Sequence, residues 1–164
     1  MIQVAIVTVS DSAVAGTRSD RSGPALRERL EALGFSVRAQ ELVPDEREQI
    51  AAVLRKLADS AQTRVILTSG GTGVALRDVT PEATRDVIER EIPGLAELMR
   101  AEGLKSTPNA ALSRAVAGVR GCSLIVNLPG SPKGAVESLD TIAKLIPHIV
   151  DLLEGRTSHA DVPH

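Results

Sequence analysis

A glycine-rich stretch at residues 68–73 is well suited to bind phosphate. It reads Thr-Ser-Gly-Gly-Thr-Gly, and three glycines in four positions leave backbone N–H groups unshielded and permit positive φ angles. No Gly-Lys-Ser/Thr follows, so it is not a Walker A loop, and the chain has no GxGxxG dinucleotide motif there or after the first strand. The candidate phosphate ligands are Ser69, Gly70, Gly71, Thr72 and Gly73. The alternative is a tight turn that binds nothing.

A second candidate loop covers residues 127–134, Asn-Leu-Pro-Gly-Ser-Pro-Lys-Gly. It joins an apolar, strand-like run to a helix start, where free N–H groups and the helix dipole attract anions. Lys133 adds a positive charge. The candidate ligands in this loop are Asn127, Pro129, Gly130, Ser131, Pro132 and Lys133. The alternative is a rigid Pro/Gly turn with a solvated lysine.

Aspartates follow three of the predicted strands. Asp78 comes soon after the glycine stretch and could bind a magnesium ion held by phosphates, or it could cap a helix or form a surface ion pair. Asp45 and Asp11 are equally ambiguous, because either could simply cap the helix that follows it. A Ser-His-Asp hydrolase is disfavoured, since the histidines fall in the last helix or the tail: His148, His159 and His164.

The composition excludes several classes of protein. Nineteen Lys and Arg residues against 21 Asp and Glu residues give a net charge of −2, which argues against a general nucleic-acid binder. One Phe and no Tyr or Trp exclude a site that stacks bases or sugars on aromatic rings. There is no membrane-span-like run and no signal-peptide pattern, so we expect a cytoplasmic protein. Cys122, the single cysteine, is expected in the core.

The predicted elements alternate between strand and helix. Apolar, β-branched runs predict strands at 2–9, 35–43, 64–68, 115–119 and 123–128. Helix starts are predicted at Ser22, Pro44, Thr80, Leu95 and Pro132. The helix that starts at Thr80 is expected to run toward Arg90. The helix that starts at Pro132 is expected to be long, and Pro147 should kink it or end it. This alternation predicts an α/β fold with a three-layer, doubly wound, mainly parallel sheet. We expect one domain over residues 1–155 and a flexible polar tail at 156–164.

Several motifs together resemble one known family. They are TVSDSAVAGTRSDRSGP at the start, then SGGTG, RDVTPEAT, LSRAVAG and NLPGSPKG, in that order over residues 2–155. The chain thereby resembles the MogA/MoaB family of molybdenum-cofactor biosynthesis. The resemblance implies an α/β fold that usually assembles as a homotrimer, with a hexamer as the alternative. It also implies adenylylation of molybdopterin by ATP with magnesium, releasing pyrophosphate, and an encounter with the molybdate-inserting enzyme.

The resemblance also implies roles for individual residues. The family's two functional acids fall on Asp45 and Asp78, its pterin-site serine falls on Ser113, and its ligand-binding loops match residues 70–73 and 129–133. Because the RDVTPEAT run is intact, the chain is more similar to the adenylyltransferase branch than to divergent MoaB-type members. Asp45 and Asp78 each follow a strand of the predicted sheet, so their carboxylates are expected to converge beside magnesium.

The chemistry implied by the resemblance suits these residue types. A phosphate of molybdopterin would attack the α-phosphorus of ATP, and both groups are anionic, so the site must neutralise charge and align them in line. A phosphate nucleophile is already ionised at neutral pH, which removes the need for a histidine base. Two alternatives stay open: a non-catalytic molybdopterin-binding or scaffold protein of the same pathway, and a sugar-phosphate or nucleotide-sugar enzyme that uses the same loops.

Overall fold

A six-stranded sheet organises the part of the chain that the computed structural model describes, residues 1–156. Its strands are β1 (Gln3–Val9), β2 (Ser36–Val43), β3 (Val65–Ser69), β4 (Arg90–Glu91), β5 (Ala117–Arg120) and β6 (Ser123–Leu128). They lie in the order β2-β1-β3-β6-β5-β4. The four strands β2, β1, β3 and β6 pair in parallel, whereas β5 and β4 are antiparallel additions at one edge. The prediction of a mainly parallel α/β sheet is confirmed.

Helices cover both faces of this sheet and complete three layers. They are α1 (Asp11–Val14), α2 (Ser22–Ala32), α3 (Arg47–Asp59), α4 (Thr80–Arg85), α5 (Pro93–Gly103), α6 (Pro132–Ile142) and α7 (Ile146–Leu153), with a 3-10 turn at Pro108–Leu112. Alternate side chains of β1 point to opposite faces. Val4 and Ile6 pack with α2, α5, α6 and α7, while Ala5 and Val7 pack with α3 and α4. Each face therefore has its own apolar core.

Four helix boundaries differ from the sequence predictions. α5 begins at Pro93 rather than at Leu95. α3 begins at Arg47 rather than at Pro44. α4 ends at Arg85, five residues before Arg90, because the chain leaves the helix to pair with the sheet edge: Glu89 N–H donates to the Val119 carbonyl at 2.8 Å. The long final helix is divided into α6 and α7. Pro147 lies in the first turn of α7, where the missing N–H costs no hydrogen bond.

The prediction that Cys122 lies in the core is wrong. Gly121 and Cys122 form the exposed turn between β5 and β6, and the thiol donates to the Leu153 carbonyl at 3.4 Å. A two-residue connection between antiparallel strands must lie at the end of the sheet, which is why the side chain is exposed.

The predicted tail lies almost entirely outside the described residues, which end at Arg156. The Arg156 side chain contacts Asp151 and Glu154 of the preceding turn. No helix within residues 1–156 has the length and apolar character needed to cross a bilayer.

The parallel pairing positions the loops that carry the candidate residues. The carboxyl ends of β2, β1, β3 and β6 lie along one edge of the sheet. The chain segments that leave these ends are 44–46, 10–11, 70–79 and 129–131, respectively. Every acidic and glycine-rich candidate from the sequence therefore reaches the same edge.

Candidate functional site

A cleft of about 920 Å³ opens at the carboxyl ends of β3 and β6. Its walls come from the glycine loop, defined here as residues 70–79, from the segment around Ser113, from residues 129–131, and from α5 and α6. Of the candidate residues, the cleft is lined by Thr72, Gly73, Asp78, Ser113, Asn127, Pro129, Gly130 and Ser131. The volume is in the range of small-molecule sites.

The two predicted phosphate loops lie in direct contact. A Cβ atom on Gly130 would lie 3.3 Å from the Gly70 Cα, and the Ser69 hydroxyl donates to the Pro129 carbonyl at 2.8 Å. Gly70 N–H donates to the Leu128 carbonyl at 3.2 Å, so this group is occupied within the protein. The next three N–H groups, on Gly71, Thr72 and Gly73, find no acceptor among residues 1–156. These three groups are the ones available to an anion.

Glycine is required at two positions of this loop. Gly70 has φ +103° and Gly71 has φ +68°, in the region that favours glycine. A Cβ on Gly70 would collide with the Val9 carbonyl, and one on Gly71 would collide with the Thr80 hydroxyl and lie 3.2 Å from Asp45 Oδ1. The loop is thus packed closely against both β1 and the Asp45 carboxylate.

Asp45 packs against the glycine loop, to which Asp78 itself belongs; Asp78 lines the cleft, whereas Asp45 does not. Asp45 Oδ1 lies beside Gly71, and Asp78 Oδ2 lies 2.8 Å from where a Cβ of Gly73 would be. Burial raises the pKa of Asp45, and the negative charges of Asp11 and Asp78 raise it further. The two carboxylates are therefore within electrostatic range of each other.

Neither carboxylate caps a helix, so the capping alternative is wrong for both. The residues at the N-caps of α3 and α4 are Glu46 and Val79, and neither makes a side-chain capping bond. Asp45 Oδ2 instead accepts from the Asp11 N–H at 2.9 Å, and Asp78 Oδ2 accepts from the Ala75 N–H at 3.0 Å. Both groups are used to fix loops.

Asp45 and Asp78 are the carboxylates that could hold a magnesium ion shared with phosphates. Within the described residues there is no group of three His, Cys, Asp or Glu side chains that could hold a metal ion by itself. Mg²⁺ commonly binds one or two carboxylates and takes its other ligands from substrate phosphates and water. The raised pKa of Asp45 fits the same role, because a nearby cation stabilises an unfavourable carboxylate charge.

Ser113 lines the same cleft as residues 129–131 and is partly exposed. Its neighbour Arg114 was not singled out by the sequence, yet it binds the glycine loop at two points and α4 at a third. The Arg114 guanidinium donates to the Gly73 carbonyl at 2.7 Å, to the Asp78 carbonyl at 2.7 Å and to the Glu82 carboxylate at 2.8 Å. Arg114 therefore joins the Ser113 side of the cleft to the Asp78 side.

Arg77 and Asp11 make contacts that the sequence did not indicate. The Arg77 guanidinium binds both oxygens of Asp11, at 2.6 Å and 3.0 Å, and reaches Glu46 at 3.0 Å. The hydrogen bonds and charge of Arg77 lower the pKa of Asp11. Only the position of Asp11 in the sequence pointed to this role, because Asp11 follows β1 as Asp45 follows the neighbouring strand β2.

Three predicted ligands have other roles or positions. Asn127 is fully buried, and its amide binds Thr68, Thr84 and the Val116 N–H at 2.8–3.0 Å, so both of its N–H donors are used within the protein. Ser69 is buried and holds residue 129, as described above. The Lys133 side chain is 82% exposed, pairs only with Glu137 at 3.8 Å among the described residues, and does not line the cleft.

Replacing Asn127 with leucine is expected to destabilise the protein by about 1–3 kcal/mol, because the buried Val116 N–H loses its acceptor. The free energy of unfolding from urea denaturation tests this. Asn109, which is exposed, is the matched control, and its change to leucine should stay within about 0.5 kcal/mol. Equal stability of the two variants would contradict the structural role of Asn127.

Comparison with known proteins assigns a family to this geometry. A family model described as a probable molybdopterin binding domain matches residues 5–148. The molybdopterin adenylyltransferase of Helicobacter pylori strain J99 is 45% identical over 159 residues, covering 94% of this chain and 89% of that protein. The molybdenum cofactor synthesis protein cinnamon of Drosophila melanogaster is 44% identical over 167 residues, which are 98% of this chain but only 28% of that protein.

A solved structure agrees with these relatives. The crystal structure of the molybdopterin biosynthesis enzyme MoaB from Thermus thermophilus superposes with a TM-score of 0.89 at 57% identity, covering 94% of this chain and 98% of that one. The resemblance drawn from the sequence motifs is confirmed. The chain belongs to the family described as the probable molybdopterin binding domain.

Proposed function

We propose that this protein is a molybdopterin adenylyltransferase, which transfers AMP from ATP to molybdopterin and releases pyrophosphate. The observation that carries the proposal is that Asp45 packs against the glycine loop that contains Asp78, beside a cleft that Ser113 also lines. The relatives of this name, at 38–45% identity over most of the chain, support the same reaction.

The cleft suggests a division into two subsites. The N–H groups of Gly71, Thr72 and Gly73 bind the triphosphate of ATP, together with the amino end of α6, where Gly130 and Ser131 line the cleft. The pterin lies toward Ser113 and the segment that Arg114 holds. Aliphatic and backbone groups contact both ligands, because the only aromatic residue of the chain, Phe35, lies in the core.

Alignment and charge neutralisation perform the chemistry. The glycine loop and residues 130–131 hold the triphosphate so that a terminal phosphate oxygen of molybdopterin faces the α-phosphorus in line. Magnesium, held by Asp45 and Asp78, would supply positive charge to the triphosphate and to the leaving pyrophosphate. The nucleophile is ionised at neutral pH, so no side chain has to remove a proton.

The decisive experiment incubates the protein with molybdopterin, magnesium and α-labelled ATP and looks for label on the pterin. Labelled adenylyl-molybdopterin is the expected product. Molybdopterin binding without labelled product would favour a non-catalytic scaffold protein. Binding of sugar phosphates with no affinity for the pterin would favour the sugar-phosphate alternative.

Replacing Ser113 with alanine is expected to raise the Kd for molybdopterin by about tenfold while turnover of bound substrate changes little, because a lost hydrogen bond to a charged group is worth about 1.5–3 kcal/mol. Titration of molybdopterin and single-turnover rates measure the two effects separately. Ser36 is the first residue of β2, at the end of that strand away from Asp45, and Ser36→Ala is the control variant. Unchanged affinity in Ser113→Ala would exclude Ser113 from the pterin subsite.

We further propose a cytoplasmic homotrimer that delivers its product to the molybdate-inserting enzyme. The family resemblance supports the trimer, and so do exposed leucines, such as Leu104 at 51% and Leu112 at 53% exposure, which another protomer can cover. Light scattering is expected to give about three times the mass of one chain at micromolar concentration. A monomer under these conditions would contradict the trimer.

A further inference from the structure

The carboxylates of Asp11 and Asp45 are paired reciprocally across two strand ends. Asp11 N–H donates to Asp45 Oδ2 at 2.9 Å, and Asp45 N–H donates to Asp11 Oδ1 at 2.9 Å. Each residue thus fixes the backbone and the side chain of the other. The position of the Asp45 carboxylate depends on where Asp11 is held.

Asp11 is held in turn by Arg77, which belongs to the loop of the other acid. The Arg77 guanidinium binds both Asp11 oxygens, with Nε at 2.6 Å and Nη2 at 3.0 Å, and Nη2 also reaches Glu46 Oε1 at 3.0 Å. We call these three bonds the Arg77 bridge. It connects Arg77, which precedes Asp78, to two residues near Asp45. One is Asp11, which pairs with Asp45, and the other is Glu46, which follows it.

Arg114 holds the two ends of the outer part of the glycine loop, at the Gly73 and Asp78 carbonyls, but does not contact residues 74–77 between them through hydrogen bonds. Residues 74–77 are exposed, and Leu76 is fully so. Within the loop, Ala75 and Asp78 bind each other through the Ala75 N–H and the Asp78 N–H. Among residues 1–156, the Arg77 bridge supplies the hydrogen bonds that join residues 74–77 to another segment of the chain.

We propose that Arg77 is a positioning residue that, through Asp11 and Glu46, sets the separation of the Asp45 and Asp78 carboxylates. The proposal rests on the adenylyl transfer proposed above. Arg77 does not touch the substrate in this role; it acts through the two acids. An arginine is required because its planar fork binds a carboxylate at two points, whereas lysine offers one charged group without fixed direction.

An exposed ion pair usually contributes little, so a matched control is needed. Arg47 provides it. Its guanidinium binds both oxygens of Asp86 at 2.7 Å and 2.8 Å, and its side chain is 54% exposed, against 58% for Arg77. The Arg47 pair joins α3 to the end of α4 and shares no partner with the Arg77 bridge.

The test compares the variants Arg77→Met, Arg77→Lys and Arg47→Met. In Arg77→Met we expect kcat to fall at least about tenfold, the KM for molybdopterin to stay within about twofold, and binding of a non-hydrolysable ATP analogue with magnesium to weaken. Hydrogen exchange of the peptide containing the Ala75 and Asp78 amides should become faster. Arg47→Met should leave all of these unchanged, and Arg77→Lys should recover only part of kcat.

Several outcomes would overturn the proposal. The first is that Arg77→Met behaves like Arg47→Met. The second is that kcat falls in Arg77→Met while hydrogen exchange of the glycine loop stays unchanged. The third is that Arg77→Lys keeps full activity. If Arg77→Met does not fold, Asp11→Asn breaks the same bridge and should give the same faster exchange and lower kcat. The exchange experiment does not depend on catalysis, so absence of labelled product from the unaltered protein would contradict the proposed function alone.

Discussion

Changing Asp45 or Asp78 to asparagine is expected to lower the rate of adenylyl transfer at least about 100-fold in a protein that still folds. Asparagine keeps the size of the side chain and an oxygen that can accept from Asp11 or Ala75 N–H. It removes the charge that binds magnesium and neutralises the triphosphate. A loss of this size is typical when one charge-stabilising group is removed from an active site.

Replacing Asp45 with asparagine should not lower the melting temperature, whereas replacing an aspartate whose charge stabilises the fold would lower it. Burial raises the pKa of Asp45 in the folded protein, so ionisation of this group disfavours folding at pH 7. Asparagine removes that unfavourable charge, and the melting temperature should be equal or higher at pH 7. The difference should vanish below the ordinary aspartate pKa of about 3.9, where the carboxyl is protonated in both states.

Asp59→Asn is the matched control for this variant. The hydrogen bond and charge of Arg120 lower the pKa of Asp59, so its ionised form stabilises the fold above its unfolded pKa, and this stability is lost as the pH falls. Asp59→Asn should therefore melt at a lower temperature at pH 7 and keep full activity. Full activity of both Asp45→Asn and Asp78→Asn would instead remove the catalytic assignment and favour the scaffold alternative.

The convergence of the two acids was predictable from the sequence because it depends on topology. β2 and β3 both lie parallel to β1, so the residues that follow them must reach one sheet edge. The alternation of apolar runs with helical stripes was sufficient to predict this arrangement. The glycine loop was predictable for a different reason, since glycines directly after a buried strand permit the positive φ angles that a tight turn at this place needs.

The contacts that fix the acids were not predictable, because they join side chains that are far apart in the sequence. Arg77 and Asp11 are 66 residues apart, and Arg114 binds the Gly73 carbonyl across 41 residues. Asn127 shows the same limit, since its position near the end of a buried strand suggested a ligand, while its three partners come from β3, α4 and the segment before β5. Residue type and spacing do not specify rotamers, and these bonds depend on rotamers.

Replacing Gly70 with alanine is expected to destabilise the protein by about 2–5 kcal/mol. Two physical effects combine: a φ of +103° strains any residue with a Cβ, and that Cβ would collide with the Val9 carbonyl, which belongs to a central strand and cannot move away. The glycine loop would have to leave its place at the end of β1. The Asp45 and Asp78 carboxylates, which both pack on this loop, would then lose their common support.

Gly34→Ala separates the two effects. Gly34 has a similar φ of +88°, but no atom lies within 4 Å of the position that its Cβ would take. Its replacement should cost only the backbone strain of about 1–2 kcal/mol. Urea unfolding at one fixed protein concentration, which keeps any assembly equilibrium the same, measures both variants. If Gly70→Ala loses no more stability than Gly34→Ala, then the Val9 carbonyl does not confine the loop, and the close approach of the glycine loop to β1 is not what places the two acids.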